Sequence, residues 1–253
     1  MVLDSFRLDG KVAAITGPTR GIGHAMALAL AEAGAEVALL QRIPGQDHVK
    51  KEIESLGGKC LIIPCDMEKI DQVKGAIPAV ISHFGKIDIL VNNAGIQRRS
   101  PAVDFSEKDW DDVIQVNLKA TWLLCQEAGK FMVGQQAGKI INIASLLSFQ
   151  GGINVPAYAA TKGALAQLTK ALANEWAKFG VNVNAIAPGY IETDMNIGIL
   201  ENEIRYRQIS ERIPAERWGS PDDFKGSVVF LASEASNYIH GHVLTVDGGW
   251  MGR

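Results

Sequence analysis

At 253 residues, 47% hydrophobic and 21% charged, the chain has the make-up of a soluble globular protein long enough to bury a large core. A formal net charge of −3 offers no basic footprint for nucleic acid, and the N-terminal Met-Val-Leu-Asp-Ser-Phe-Arg-Leu-Asp-Gly lacks the apolar core of a signal peptide. The long uncharged stretch Ile140 to Thr161 is broken by Asn142, Ser145, Ser148, Gln150, Gly151, Gly152, Asn154 and Pro156, which excludes a membrane span.

Lys11 to Thr16 is a short apolar strand candidate, followed at once by Gly17-Pro-Thr-Arg-Gly21-Ile-Gly23. A helix is predicted over His24 to Ala33, stopped by Gly34, and a second apolar run covers Val37 to Leu40. A strand, glycine turn, helix and strand in this order form a phosphate-binding unit. The glycines let backbone approach a pyrophosphate, and the helix start offers free N–H groups. The second strand ends in Leu40-Gln41-Arg42. No carboxylate stands there to bind a ribose 2′-hydroxyl or repel a 2′-phosphate. Arg42, helped by Arg20 from the glycine turn, suits such a phosphate, so NADP is favoured over NAD.

A polar helix is predicted from Val49 to Leu56, a third strand over Cys60–Pro64 and a helix from Glu68 to Phe84, with Asp66 placed to cap it. Ile87 to Val91 is the fourth strand, leading into Asn92-Asn93-Ala94-Gly95 and then Arg98-Arg99. Two arginines at the carboxyl edge of a parallel sheet either hold a substrate carboxylate or stand as a surface pair. The helix that starts at Ser106 carries Asn117 in a stripe of Val113, Val116, Leu123 and Leu124, where a buried amide needs partners. Cys60, Cys65 and Cys125 are odd in number and lack metal-ligand spacing. They read as buried thiols of a reducing cytoplasm, with no metal site.

Ile140 to Ala144 is a buried strand with Ser145 at its tip. A helix from Pro156 to Phe179, ended by Gly180, puts Tyr158 and Lys162 on one face at i and i+4. An ammonium there is expected to lower the phenol pKa from its ordinary ~10. Phenol and serine hydroxyl together can then donate to, or take a proton from, a reacting oxygen. Val181 to Ala187 is the sixth strand, with Pro188-Gly189 as its turn. Tyr190 to Pro214 has weaker periodicity and reads as a substrate lid, not a second domain. A helix from Pro221 to Ala232 and a last strand and turn from His242 to Gly249 complete the chain.

The glycine turn, Asn92-Asn-Ala-Gly95, Ser145, Tyr158-x-x-x-Lys162 and Pro188-Gly189 fall in one order along Leu8 to Gly249, and in this the chain resembles the short-chain dehydrogenase/reductase family. The resemblance implies an α/β fold: a single-domain Rossmann unit over residues 1–253, a doubly wound seven-stranded parallel sheet with helices on both faces. It implies catalytic roles for Asn117, Ser145, Tyr158 and Lys162, with Asn117 holding a water that contacts the lysine. To the cofactor it assigns Gly17, Thr19, Arg20, Gly21, Ile22, Gly23, Gln41, Arg42, Asp66 and Met67. Asn93, Ala94, Gly95, Tyr158, Lys162, Pro188, Gly189, Ile191 and Thr193 join them.

Phe105-Ser-Glu-Lys-Asp-Trp-Asp-Asp, Asn142 to Gly152, and Arg212-Ile-Pro-Ala-Glu-Arg-Trp-Gly are similar to a branch of the family that acts on keto-deoxy sugar acids. On that reading Arg98, Arg99, Ser145, Gln150 and Tyr158 meet a small carbonyl or alcohol substrate. That branch is usually NAD-linked, so Gln41-Arg42 departs from it. A broad ketone reductase and a 3-oxoacyl-carrier-protein reductase share the catalytic set, and a dinucleotide sensor needs none of it. The resemblance also implies a cytoplasmic homotetramer. In it, the C-terminal Trp250-Met-Gly-Arg253 is expected to reach a neighbouring subunit.

Overall fold

The computed structural model describes residues 1–253. Seven strands run parallel: β1 (Val12–Thr16), β2 (Glu36–Gln41), β3 (Cys60–Pro64), β4 (Ile89–Asn92), β5 (Gly138–Ile143), β6 (Val181–Pro188) and β7 (Val243–Val246). Their order is β3-β2-β1-β4-β5-β6-β7, the doubly wound arrangement expected from the sequence. The chain winds one way from β1 to β3 and the other way from β4 onward. The crevice between the carboxyl ends of β1 and β4 is therefore left uncovered by any crossover, and ligands bind there in such sheets.

Alternation along each strand feeds two cores. Val12 and Ala14 of β1 face one layer, Ala13 and Ile15 the other. The first layer is closed by α3 (Ile70–Phe84), α5 (Ala120–Gly134) and α6 (Pro156–Trp176), through side chains such as Ile77, Leu124 and Leu172. The second is closed by α1 (Gly21–Glu32), α2 (His48–Ser55) and α9 (Lys225–Ala232), through Met26, Ile53 and Val228. The remaining helices are α4 (Glu107–Ile114), α7 (Ile197–Leu200) and α8 (Glu203–Ser210).

Several element ends differ from expectation, each for a local reason. α1 starts at Gly21, inside the glycine turn, so the turn is the helix N-terminus itself. α3 starts at Ile70, not Glu68, and Asp66 does not cap it: its carboxylate accepts the Glu68 N–H at 3.1 Å, closing the turn before the helix. The helix predicted from Ser106 is interrupted by a π-turn, Gln115–Lys119, in which the Ala120 N–H reaches the Gln115 carbonyl. α6 stops at Trp176 and hands over to a 3-10 turn, Ala177–Phe179. The helix expected from Pro221 opens as a 3-10 turn, Pro221–Phe224, before α9 begins.

All three cysteines are free, and burial pushes each thiol up to about 12. The thiolate is the reactive form. Iodoacetamide at pH 7.5 is therefore expected to leave the native chain unmodified and to label all three thiols after denaturation, as read by intact mass.

Candidate active site

The glycine turn is built by what lies under it. Thr16, the last residue of β1, accepts the N–H groups of Asn93 and Ala94 on its hydroxyl, each at 2.9 Å. The Asn93 amide in turn donates to the Thr16 and Gly17 carbonyls at 3.1 and 3.0 Å. Turn and β4 exit are thus one braced unit. Gly17 and Gly21 sit at φ of 63° and 55°, in the left-handed region that suits glycine. A Cβ on Gly23 would stand 2.2 Å from the Gly17 carbonyl oxygen and 2.4 Å from the Asn93 amide nitrogen. The backbone N–H groups that open α1 face this crevice with the positive end of the helix dipole. These residues fit a dinucleotide pyrophosphate, and the fit rests on the absence of three side chains.

At the adjoining end of β2, Gln41 is buried and its amide donates to the Ile43 and Gln46 carbonyls, both at 2.8 Å. It shapes the following loop and leaves Arg42 as the exposed cation beside the crevice, without an ion-pair partner. Arg20 is paired with Asp194 at 3.0 Å across the glycine turn, and Thr193 comes down on Gly21. Asp66 and Met67 leave the end of β3, where the Met67 carbonyl accepts from Gln115 at 3.1 Å. Pro188 closes β6, Gly189 fits against the Asp247 backbone, and Ile191 is buried. Every residue assigned to the cofactor lies on this carboxyl edge.

Ser145 follows β5 and begins a 3-10 turn, Leu146–Ser148, its hydroxyl accepting the Leu147 N–H at 3.2 Å. Tyr158 and Lys162 rise from the first turns of α6. The lysine Nζ lies 5.5 Å from the phenol ring centroid, within cation–π reach, and donates to the Ile143 carbonyl. The electrostatics of the phenol differ from the expectation that Lys162 lowers its pKa. Burial pushes the Tyr158 pKa up, opposed by the Ser145 hydroxyl and the Arg99 charge and not by Lys162. Lys162 is itself brought down to about 8 by burial, since its ammonium has given up water for one carbonyl. Near neutrality the phenol is protonated, the form that donates. If Tyr158 is the group that takes a proton during alcohol oxidation, that reaction is expected to speed up as pH rises above neutrality. Carbonyl reduction is expected to slow over the same range, and pH–rate profiles in the two directions test this.

Asn117 sits at the π-turn, 1% exposed. Its amide accepts the Ile96 N–H at 2.8 Å, donates to the Ile96 carbonyl at 2.9 Å and reaches the Thr161 hydroxyl at 3.4 Å. It pins the β4 exit to α6 one residue before Lys162. The two arginines separate: Arg98 pairs with Asp109 at 3.3 Å, while Arg99 lies where its charge acts on Tyr158. Gln150 accepts from the Trp250 indole N–H at 3.3 Å. Within the chain the C-terminal segment packs inward at its start: Trp250 is 4% exposed, with its ring centroid 4.7 Å from that of Tyr190, and Arg253 donates to the Glu211 and Arg212 carbonyls. An apolar indole finds its cover within its own chain, against Leu146, Ile209, Ile213 and Trp218.

A family model described as Enoyl-(Acyl carrier protein) reductase matches residues 17–251. The 2-dehydro-3-deoxy-D-gluconate 5-dehydrogenase of Pseudoalteromonas atlantica is 53% identical over 255 residues, spanning 100% of both chains. The chain belongs to the short-chain dehydrogenase/reductase family. It is thus a short-chain oxidoreductase. The enzyme of the same name from Escherichia coli is 47% identical, again over 100% of both chains. Among solved structures, a gluconate 5-dehydrogenase from Burkholderia cenocepacia in complex with NADP and tartrate is 40% identical, with a TM-score of 0.96 and 100% of each chain covered.

The sequence does not show the contacts that Thr16, Thr161, Tyr190, Arg212 and Trp250 make at the site. Thr16 had a signal, a hydroxyl immediately before the glycine turn. The others depend on contacts between segments far apart in the chain.

Proposed function

We propose that this short-chain dehydrogenase interconverts a hydroxyl and a ketone on a hydroxylated sugar acid, with 2-dehydro-3-deoxy-D-gluconate as substrate and NADP as the coenzyme. The observation that carries the reading is the placement of Tyr158 and Lys162 on one face of α6, with the lysine 5.5 Å from the phenol ring and bonded to the end of β5, two residues before Ser145. The full-length relatives that carry this substrate in their names support it.

When bound, the nicotinamide gives or takes the hydride. The chain's residues manage the oxygen. Tyr158 moves the proton at the reacting oxygen, Ser145 donates to it as charge develops, and Arg99 adds positive potential at the same end. Lys162 holds the ribose and relays the proton, while Asn117 keeps the lysine's turn and the β4 exit in register. Gly17, Thr19, Gly21, Ile22 and Gly23 hold the pyrophosphate. Asp66 and Met67 border the adenine, Asn93 to Gly95 line the cofactor, and Pro188, Gly189, Ile191 and Thr193 hold the carboxamide end. Residues 190–214 form the substrate lid, tied at its base by the Ile191–Gly219 bridge.

Arg42 takes the 2′-phosphate, a reading supported by its exposure and by NADP in the Burkholderia relative. Arg42→Ala is expected to weaken NADP binding roughly tenfold, the worth of one charge-assisted contact, and to leave NAD binding unchanged. Titration of cofactor fluorescence measures both. The whole reading is tested by following absorbance of the reduced cofactor with 2-dehydro-3-deoxy-D-gluconate and either NADP or NAD. No turnover of that acid overturns it.

No helix is long and apolar enough to cross a membrane. A cytoplasmic homotetramer suits three free thiols and the half-exposed Trp110, Trp122 and Phe131 along α4 and α5. Sedimentation of the purified protein tests the assembly.

A further inference from the structure

Arg212 and the C-terminal tail have no part in the proton transfer proposed above, yet they meet at one indole. Trp250 is buried against Tyr190, and Tyr190 packs on Trp218 with ring centroids 5.3 Å apart. On one side of Trp250, its N–H donates to the Gln150 side-chain oxygen at 3.3 Å. That bond uses the acceptor of the amide and fixes its flip, so both Gln150 N–H donors remain free. Gln150 is itself tied to the catalytic turn, its backbone N–H donating to the Leu146 carbonyl at 3.1 Å, next to Ser145. Over the ring of the same Trp250 lies Arg212, its guanidinium carbon 3.9 Å from the centroid. Arg217, five residues on, is spent on two 2.8 Å contacts with Asp223. Arg212 has no carboxylate partner. An unpaired guanidinium and an amide with two free donors thus flank one buried indole at the lid side of the catalytic turn.

The substrate class proposed above has two ends. In 2-dehydro-3-deoxy-D-gluconate the reacting carbon, C5, is four carbon–carbon bonds from the carboxylate carbon, roughly 5 Å in an extended chain. The reacting oxygen must lie at the Tyr158 and Ser145 hydroxyls. The carboxylate needs a second set of donors farther out. We infer that Arg212 and Gln150 form that carboxylate subsite, and that Trp250 is the positioning residue, holding the guanidinium over its face and the amide at its N–H edge. The inference rests on the sugar-acid reading and adds to it the residues that select an acid over a neutral polyol. It also gives the tail a role within its own chain: Arg253 ties the backbone of Glu211 and Arg212 to the segment that carries Trp250.

The test is calorimetric binding of D-gluconate, and of neutral D-sorbitol, to the NADP-saturated enzyme. The wild type is expected to prefer gluconate. Arg212→Gln is expected to weaken gluconate binding about tenfold or more and to abolish the preference, with partial rescue by Arg212→Lys. Trp250→Phe keeps a ring under Arg212 and removes the N–H that orients Gln150. It is expected to weaken gluconate binding several-fold and sorbitol binding less. A merely structural role for Trp250 would weaken the two equally, and that result overturns its assignment. Unchanged gluconate binding in Arg212→Gln, or a wild type with no preference for the acid, overturns the subsite. A wild type that prefers gluconate through Arg212, yet fails to oxidise 2-dehydro-3-deoxy-D-gluconate, supports the subsite and overturns only the reaction proposed for it.

Discussion

Replacing Tyr158 by Phe is expected to lower turnover by about a thousandfold or more while leaving NADP affinity within about twofold of wild type. General acid–base groups of this kind contribute roughly 10²–10⁴ in rate. The ring itself stays, so the contact with the Lys162 ammonium at 5.5 Å and the lysine's bond to the Ile143 carbonyl are kept. The defect should therefore appear in kcat, in both directions, and not in cofactor binding. Single-turnover kinetics with fluorescence titration of the cofactor separates these quantities. Ser145→Ala is expected to cost about a hundredfold, as loss of an oxyanion donor does. The double variant should fall little below Tyr158→Phe, because the two hydroxyls act on one oxygen. Near-normal turnover in Tyr158→Phe would refute the assignment of the phenol.

The second large effect is expected at Gly23. A methyl group there would stand 2.2 Å from the Gly17 carbonyl oxygen and 2.4 Å from the Asn93 amide nitrogen. Neither neighbour is a flexible side-chain end. The Gly17 carbonyl accepts from Asn93, and Asn93 is held by Thr16 at the end of the central strand β1. The turn must open to admit the methyl, which breaks the bracing that shapes the crevice. Gly23→Ala is expected to weaken NADP binding about a hundredfold. A lower melting temperature should accompany it, since overpacking of this kind costs about 1–3 kcal/mol. Gly75→Ala is the control. Gly75 is in α3, a Cβ there meets nothing within 4 Å, and alanine is the better helix former. That variant should bind cofactor normally and melt at or slightly above the wild-type temperature. Normal binding by Gly23→Ala would remove the close-approach argument.

Much of the scaffold was legible before coordinates because its signals are local. Gly17, Gly21 and Gly23 between an apolar strand and an alanine-rich helix announce a turn that phosphate can approach. Tyr158 and Lys162 share a helix face through their i, i+4 spacing. Element ends were less legible where backbone geometry followed a tertiary need. The π-turn around Asn117 is one such case: the extra residue leaves the Asn117 amide bridged to both polar groups of Ile96, 21 positions away. Gln41 is another. Read as a strand tip facing a ribose, it is turned inward to hold the next loop.

Sequence alone determined the order of strands and helices, the glycine turn and the pairing of phenol with ammonium, since each depends on residues within a few positions of one another. Tertiary structure alone decided how charge is shared among them. Burial raises the Tyr158 pKa, and Arg98, not Arg99, is the one claimed by Asp109. It also decided that Trp250 folds back between Gln150 and Arg212 of its own chain. Desolvation, and competition for a partner, are properties of the assembled surroundings, and no local pattern of residues encodes them.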